Sequence, residues 1–233
     1  MTQTTKTFLE DLRDLCRLHG VDFAGDLDGA VEFTSADGNR MASLYNLKDL
    51  EAQLSSEITF DFGAGPVPAH QHPNGGGWVA DTAYVANTAC VGPDAQVYGN
   101  ALVYGNALVY GNASVYGNAS VDDNAQVYDN AWVYGDARVG GTAQVYGDAR
   151  VSGNAWVYNN AQVFGNARVS GDAEVYGDAR VGGTAQVYGD ARVSGKAWVF
   201  GNAKVSGHVT GNARVSGDAV VTGNARVYEG DHT

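Results

Sequence analysis

Cysteine is almost missing from this 233-residue chain, which has only Cys16 and Cys90. The two lie in different segments without metal-ligand spacing, which fits a reduced, intracellular compartment. Basic residues are scarce as well, 14 Lys and Arg against 26 Asp and Glu, for a formal net charge of −12. Wrapping nucleic acid through its phosphates needs a basic stripe, so no direct nucleic-acid binding is expected. No run of about 18 apolar residues exists, and the first thirty residues carry no basic-then-apolar signal; neither membrane insertion nor export is indicated. There is no G-x-S-x-G, phosphate loop or paired-carboxylate motif. With five histidines in all, no zinc set completes itself, and no metal or other cofactor is expected.

What the chain does have is a lattice. From Val79 to Val205 a valine recurs at every sixth position, about 22 consecutive hexads. The residue two before it is almost always alanine, in the consensus A-x-V-Y-G-N of Ala101 to Asn106 and Ala107 to Asn112. Side chains alternate along a strand, so alanine and valine share an inner face while x and the tyrosine point outward. Glycine, asparagine and aspartate tolerate positive φ, and Asp129 and Asn159 stand where glycine otherwise does, so each strand is followed by a sharp corner. Three such walls close a triangle of about 18 residues, giving about eight to nine coils and a rod roughly 40 Å long. The domain reading is a small N-terminal module over 1–63, a Gly/Pro-rich linker over 64–78, the repeat over 79–228 and a tail over 229–233.

Val97 followed four places later by Ala101 resembles the hexapeptide-repeat, left-handed parallel β-helix superfamily. The left hand comes from that resemblance, since the general rule for parallel crossovers favours the right. The fold expectation is therefore mainly β, a left-handed parallel β-helix preceded by a small α+β module. The Y-G-N-A wording and the lead-in Gly75 to Ala83 are similar to repeat proteins of bacteriophages and prophages.

In the N-terminal module the spacing of Phe8, Leu9, Leu12, Leu15, Cys16 and Leu18 predicts a helix from about 8 to 19. Val21 to Phe23 and Val31 to Thr34 read as strands, with Asp37-Gly38 as a hairpin signal, a short helix from Asn46 and a strand at Ile58 to Phe62. The module serves either as a cap on the first coil or as an adaptor to another protein. His70 and His72, two apart, would share a face in a strand, but no carboxylate or cysteine completes a site, and the segment reads as solvated linker.

Sorting outward residues by three assigns Tyr110, Tyr128, Tyr146, Phe164 and Phe200 to one wall, together with Trp132, Arg150, Arg168 and Lys204; another wall stacks Gln126, Gln144 and Gln162. The aromatic column either stabilises the rod by stacking alone or marks a subunit interface. Members of the resembled superfamily commonly form trimers side by side. The block Val139 to Trp156 recurs at Val181 to Trp198 with only Asn154 replaced by Lys196. Seven hexads separate the copies, so each outward residue moves to a different wall, which argues against a single wall-specific pocket.

The superfamily's acyltransferases use a histidine near a loop that bulges from the coils, and its γ-class carbonic anhydrases use three histidines on zinc. The lattice from 79 to 205 admits neither. The first functional reading is a non-catalytic, phage-related binding or structural module. It would be a virion component or, in the host cytoplasm, an inhibitor of a host defence protein, even one that imitates nucleic acid. The second is an acyltransferase-like enzyme or small-ligand (nucleotide) binder in clefts between subunits, for which His208 is the repeat-borne candidate. Between Val205 and Val209 two residues are lost from the lattice, read as a missing Ala-x pair. With only Glu229 to Thr233 beyond the last valine, the rod is expected to fray from that end.

Overall fold

The computed structural model describes Val21–Ala24, Val31–Ser35, Arg40–Leu44 and residues 58–233, in two units, 1–58 and 59–233. In the first unit β1 (Val21–Ala24), β2 (Val31–Ser35) and β3 (Arg40–Leu44) form one antiparallel sheet in that order. The β2–β3 pairing, with Val31 opposite Leu44 and a register shift at Phe33/Thr34, is the hairpin expected across Asp37-Gly38. The two expected helices lie outside the described residues, and the described residues contain no helix.

The second unit is a parallel β-solenoid of three walls. Each two-residue strand feeds the next wall, and every third strand pairs in parallel. Wall 1 runs from Trp78–Ala80 to Val220–Val221, wall 2 from Tyr84–Val85 to Arg226–Val227, and wall 3 from Cys90–Val91 to Asp231–His232. Register is exact to the residue: on wall 3 Gln126 faces Gln144 and Val127 faces Val145. Each coil donates to the next through a fixed set of bonds. The Gln144 N–H reaches the Ala161 carbonyl at 2.9 Å, Tyr146 N–H the Val163 carbonyl at 3.0 Å, and Asn130 N–H the Gly147 carbonyl at 2.9 Å. The alternation argued from sequence holds, because every alanine and valine from Ala89 to Val215 that faces inward is fully buried.

The corners explain the fifth hexad position twice over. Gly147 has φ 71°, and a Cβ built there would stand 3.0 Å from the Gly165 nitrogen of the next coil. Asp123, Asp129 and Asn159 accept the same positive φ, and Asp129 gains a bond in return, its Oδ2 accepting from the Gly147 N–H at 3.1 Å. At the sixth position side chains chain forward along the rod. Asn112 donates to Asn130 at 3.1 Å, and Asn130 to Asp148 at 3.0 Å. A carboxylate accepts but cannot pass a proton donor onward, so such a run ends at each aspartate.

Three expectations change here. The segment read as solvated linker contains β5 (Pro66–Gln71), which pairs antiparallel with Trp78–Ala80 and with β4 (Thr59–Asp61). Two of its residues, Pro66 and Pro68, lack a backbone donor and stand opposite Asp61 and Thr59 of β4, which ends the sheet. Phe60 stacks on Trp78 at 4.6 Å and Phe62 on Tyr98 at 4.9 Å, so the hairpin is held by rings as well as by backbone. At the other end, the tail is not loose, since Asp231 pairs with Arg214 in the last rung of wall 3. Finally, the residues lost before Val209 are the turn pair and not the Ala-x pair. His208 faces Arg192 in register, and Gly207 stands in the buried alanine slot, where a Cβ would meet the Ala225 carbonyl oxygen at 2.7 Å. A corner without its two turn residues brings the backbone too close for a methyl group.

Two measurements test this packing. Val145→Asp places an unpaired carboxylate in a dry core at a cost of several kcal/mol and is expected to be insoluble or unfolded, whereas Gln144→Ser on the surface shifts stability by under about 0.5 kcal/mol. Gly207→Ala is expected to destabilise by about 1–3 kcal/mol and to speed amide exchange from Val209 to Val227 before that of the central coils. Unchanged exchange in that variant would show that the shortened corner has room to spare.

Candidate functional site

The nine residues singled out from sequence do not share one wall. A residue just before a valine and one just after it belong to the same strand, so the ring column goes with the glutamines on wall 3 and Trp132 goes with Val133 on wall 1. On wall 3 Tyr110, Tyr128 and Tyr146 stack at 4.9 Å, nearly parallel, and Phe164 continues the column at 5.4 Å. Phe200 is cut off from it by Gly182 and instead meets Trp198 edge-on at 6.2 Å. On wall 1 the Arg150 guanidinium lies over Trp132 at 4.9 Å, with Arg168 and then Gln186 and Lys204 following in register. Beside them stands a second ladder that the sorting missed, Phe62–Tyr98–Tyr116–Tyr134, with centroids 4.8 to 5.0 Å apart.

Two further Arg–Trp stacks were also missed. Arg138 lies over Trp156 at 4.9 Å on wall 2, and Trp198 is sandwiched on wall 3 by Arg180 and Arg214, each at 5.2 Å. Each wall thus carries one solvent-facing tryptophan held by arginine; Trp132, Trp156 and Trp198 are 40%, 45% and 38% exposed. Stacking keeps a guanidinium flat and in place at little cost in hydrogen bonding.

Beside the last two stacks the surface is notched, in both cases where glycine follows the valine. On wall 2 Gly140 interrupts the outward column, leaving a cavity of about 600 Å³ bounded by Tyr104, Ser120, Asp122, Arg138, Trp156 and Tyr158. On wall 3 Gly182 leaves one of about 290 Å³ bounded by Phe164, Arg180, Trp198 and Phe200. These are the two copies of the duplicated block. Arg-Val-Gly-Gly occurs at 138–141 and 180–183, and Trp-Val-ring occurs one coil later at 156–158 and 198–200. The duplication therefore carried the Arg-Val-Gly-Gly and Trp-Val parts of the notch from one wall to the next. The floors differ. In the first, Asp122 Oδ1 stands 2.4 Å from where a Cβ on Gly140 would be; in the second, the Phe164 ring leans to within 2.4 Å of the same point on Gly182.

Among the described residues the histidines do not come together. His70 points outward and pairs with Asp81 at 2.8 Å, while His72 turns inward, its Nδ1 near Asn74 and its Nε2 buried without a partner. The two do not share a face. His208 sits between Arg192 and Arg226 on wall 2. No group of three His, Cys, Asp or Glu that would hold a metal occurs among the described residues.

Seven stretches, 95–111, 103–117, 125–141, 143–159, 161–175, 185–201 and 213–229, match a family model described as the YdcK beta solenoid repeat. The second unit is a repeat β-solenoid. The matched stretches cover a little under half of the chain and include Arg138, Gly140, Trp156 and Tyr158 of the first notch. Comparison with curated proteins gives no match.

Stacking also sets the acidity of the rings. The Tyr128 hydroxyl is pushed up to about 12 by loss of surrounding water first, then by Tyr110, Tyr146 and Asp129. Tyr98, Tyr110, Tyr116 and Tyr158 move the same way, again mainly by burial. The folded state holds these protons more tightly than the unfolded chain, whose tyrosines titrate near 10.0. Their contribution is complete below that pH and is lost as pH rises toward about 12. The melting temperature is expected to fall between pH 10 and 12, and Tyr128→Phe to flatten the fall; identical pH profiles for the two proteins would contradict the assignment.

Proposed function

We propose that this protein is a non-catalytic β-helical module that presents its walls to a basic protein partner. Its setting is a phage or prophage, as a virion component or as an inhibitor of a host defence protein. The observation that carries the reading is the set of exposed tryptophans, one per wall, each fixed by a stacked arginine. Tryptophan and arginine are the side chains from which interface hot spots are built. The net charge of −12 favours a cationic partner by steering, including one whose ordinary ligand is nucleic acid. The phage setting rests on the Y-G-N-A wording of the hexads.

Side-by-side association into a trimer belongs to the same proposal, with the wall 1 stripe of Trp132, Arg150, Arg168 and Lys204 as the contact. Sedimentation is expected to give about three times the chain mass of 24.3 kDa, and the double variant Trp132→Ala/Arg150→Glu to fall to the monomer. A monomeric wild-type protein would remove the trimer. The purified protein is expected to show no acetyl-CoA turnover with or without His208→Ala, and turnover lost on that substitution would overturn the non-catalytic reading.

A further inference from the structure

We propose that the Gly140 notch on wall 2 is a receptor for a single arginine side chain of the partner. This rests on the protein-binding reading above and names the chemistry of the contact. The argument begins with the missing ring. Outward columns on this rod repeat at 4.8 to 5.0 Å where rings stack, and wall 2 has such a column, with Tyr158 on Tyr176 at 5.0 Å. Below Tyr158 the column continues as Gly140, Asp122 and Tyr104. Glycine contributes nothing there, so the column is open beneath the Tyr158 ring, and the Asp122 carboxylate leans up from the coil below until its Oδ1 lies beside the place a Gly140 side chain would take. A planar group stacked under Tyr158 would take the Gly140 level, with the Asp122 carboxylate in reach of its edge.

The walls of the gap specify which planar group. Asp122 Oδ2 accepts the Tyr104 hydroxyl proton at 2.9 Å and is 3.5 Å from Ser120 Oγ. These contacts fix the carboxylate with its other oxygen, Oδ1, directed over Gly140 and without a protein partner among the described residues. The occupant must therefore donate hydrogen bonds at its edge and offer a flat face to tyrosine. Guanidinium does both, with donors in a fixed fork and a weakly hydrated face. The rod already stacks its own guanidinium groups on rings at this spacing on all three walls. The charges near the notch are Asp122 and Asp123 against Arg138. Asp123 is engaged with the Gly141 N–H at 3.2 Å, and Arg138 is held on the Trp156 face, so the free acceptor is Asp122. An ammonium group would gain the charge interaction but not the stacking, and a nucleotide would bring its phosphates to a strongly acidic rod.

The duplicate supplies an internal control. The Gly182 notch has the same arginine, tryptophan and ring, but Phe164 occupies the place of Asp122. It offers faces without an acceptor.

The test uses the full chain, labelled with ¹⁵N, titrated with a glycine-spaced arginine peptide, a lysine peptide of equal charge, and AMP. The arginine peptide is expected to shift the amides of Gly140, Gly141 and Tyr158 saturably, to leave Gly182 unmoved, and to bind at least fivefold more tightly than the lysine peptide. Asp122→Asn and Gly140→Tyr are each expected to weaken arginine binding at least fivefold. Gly140 does not have positive φ, and the atom nearest its added Cβ is the end of the Asp122 side chain. The tyrosine variant should therefore fold and supply the ring that the column lacks; an unchanged melting curve checks this, and Asp122→Asn stands if it does not fold. Equal affinity for lysine, undiminished affinity in both variants, or tighter binding of AMP at Gly140 would overturn the proposal. If the arginine peptide fails while the rod still binds a partner protein through other walls, the notch is refuted and the functional reading survives.

Discussion

Everything in the solenoid depends on one constraint: each coil must return to its starting wall so that its N–H groups meet the carbonyls of the next. The bonds from Gln144 to Ala161 and from Tyr146 to Val163 recur coil after coil at nearly constant length. They leave no slack for an insertion in the middle of the rod. Buried alanine and valine recur with it, one of each lining the inner face of nearly every strand. The corner glycines follow too, because the corner that closes the triangle needs positive φ and lies against the backbone of its neighbour. The shortened step at Gly207 keeps the constraint by giving up a methyl group, which leaves the wall sequence unbroken through Val209 and Val215, both fully buried.

Because the backbone is spaced by hydrogen bonds, outward side chains are stacked whether or not they attract one another. The coil spacing turns sixth-place asparagines such as Asn112 and Asn130 into donors for the coil beyond, rings such as Tyr110, Tyr128 and Tyr146 into plates on a column, and Arg138 and Arg150 into cation–π partners of Trp156 and Trp132. Individually such contacts are small, about 0.5 to 1.5 kcal/mol for an aromatic pair beyond its burial, but each coil touches only its neighbours and they add along the rod. The same spacing makes gaps as regular as contacts. A glycine in an outward column is an absence of known height.

Periodicity made the fold legible. Val97 and Ala101 report the inner face, Asp129 and Asn159 the positive φ, and Val31 to Met41 the hairpin, all from local rules. Wall assignment was harder, because it depends on counting from the correct side of the valine; Trp132 and Tyr128 are four residues apart yet one corner separates them. Strand Pro66–Gln71 was hidden by its composition, in which proline and glycine imitate a linker while the pairing partners, Trp78 to Ala80, lie across a turn. The notches were hidden for another reason. Gly140 and Gly182 read as ordinary glycines until the residues one coil before and after, 18 positions away, are placed beside them. The signal that finds them is Arg-Val-Gly followed one coil later by Trp-Val-ring.

The duplicated block shows what this architecture permits. In a globular domain, copying 18 residues to a distant place in the chain would bury some of them and strand others. Here a copy displaced by seven hexads remains inside-in and outside-out, and arrives turned by a third of a revolution. A displacement of six or nine hexads would instead have returned it to the same face. Gain or loss of whole hexads thus acts as an indexing mechanism: the count of repeats upstream decides the compass bearing of every feature downstream, while the coil onto which a copied block lands, Asp122 under Gly140 but Phe164 under Gly182, decides the chemistry of its floor.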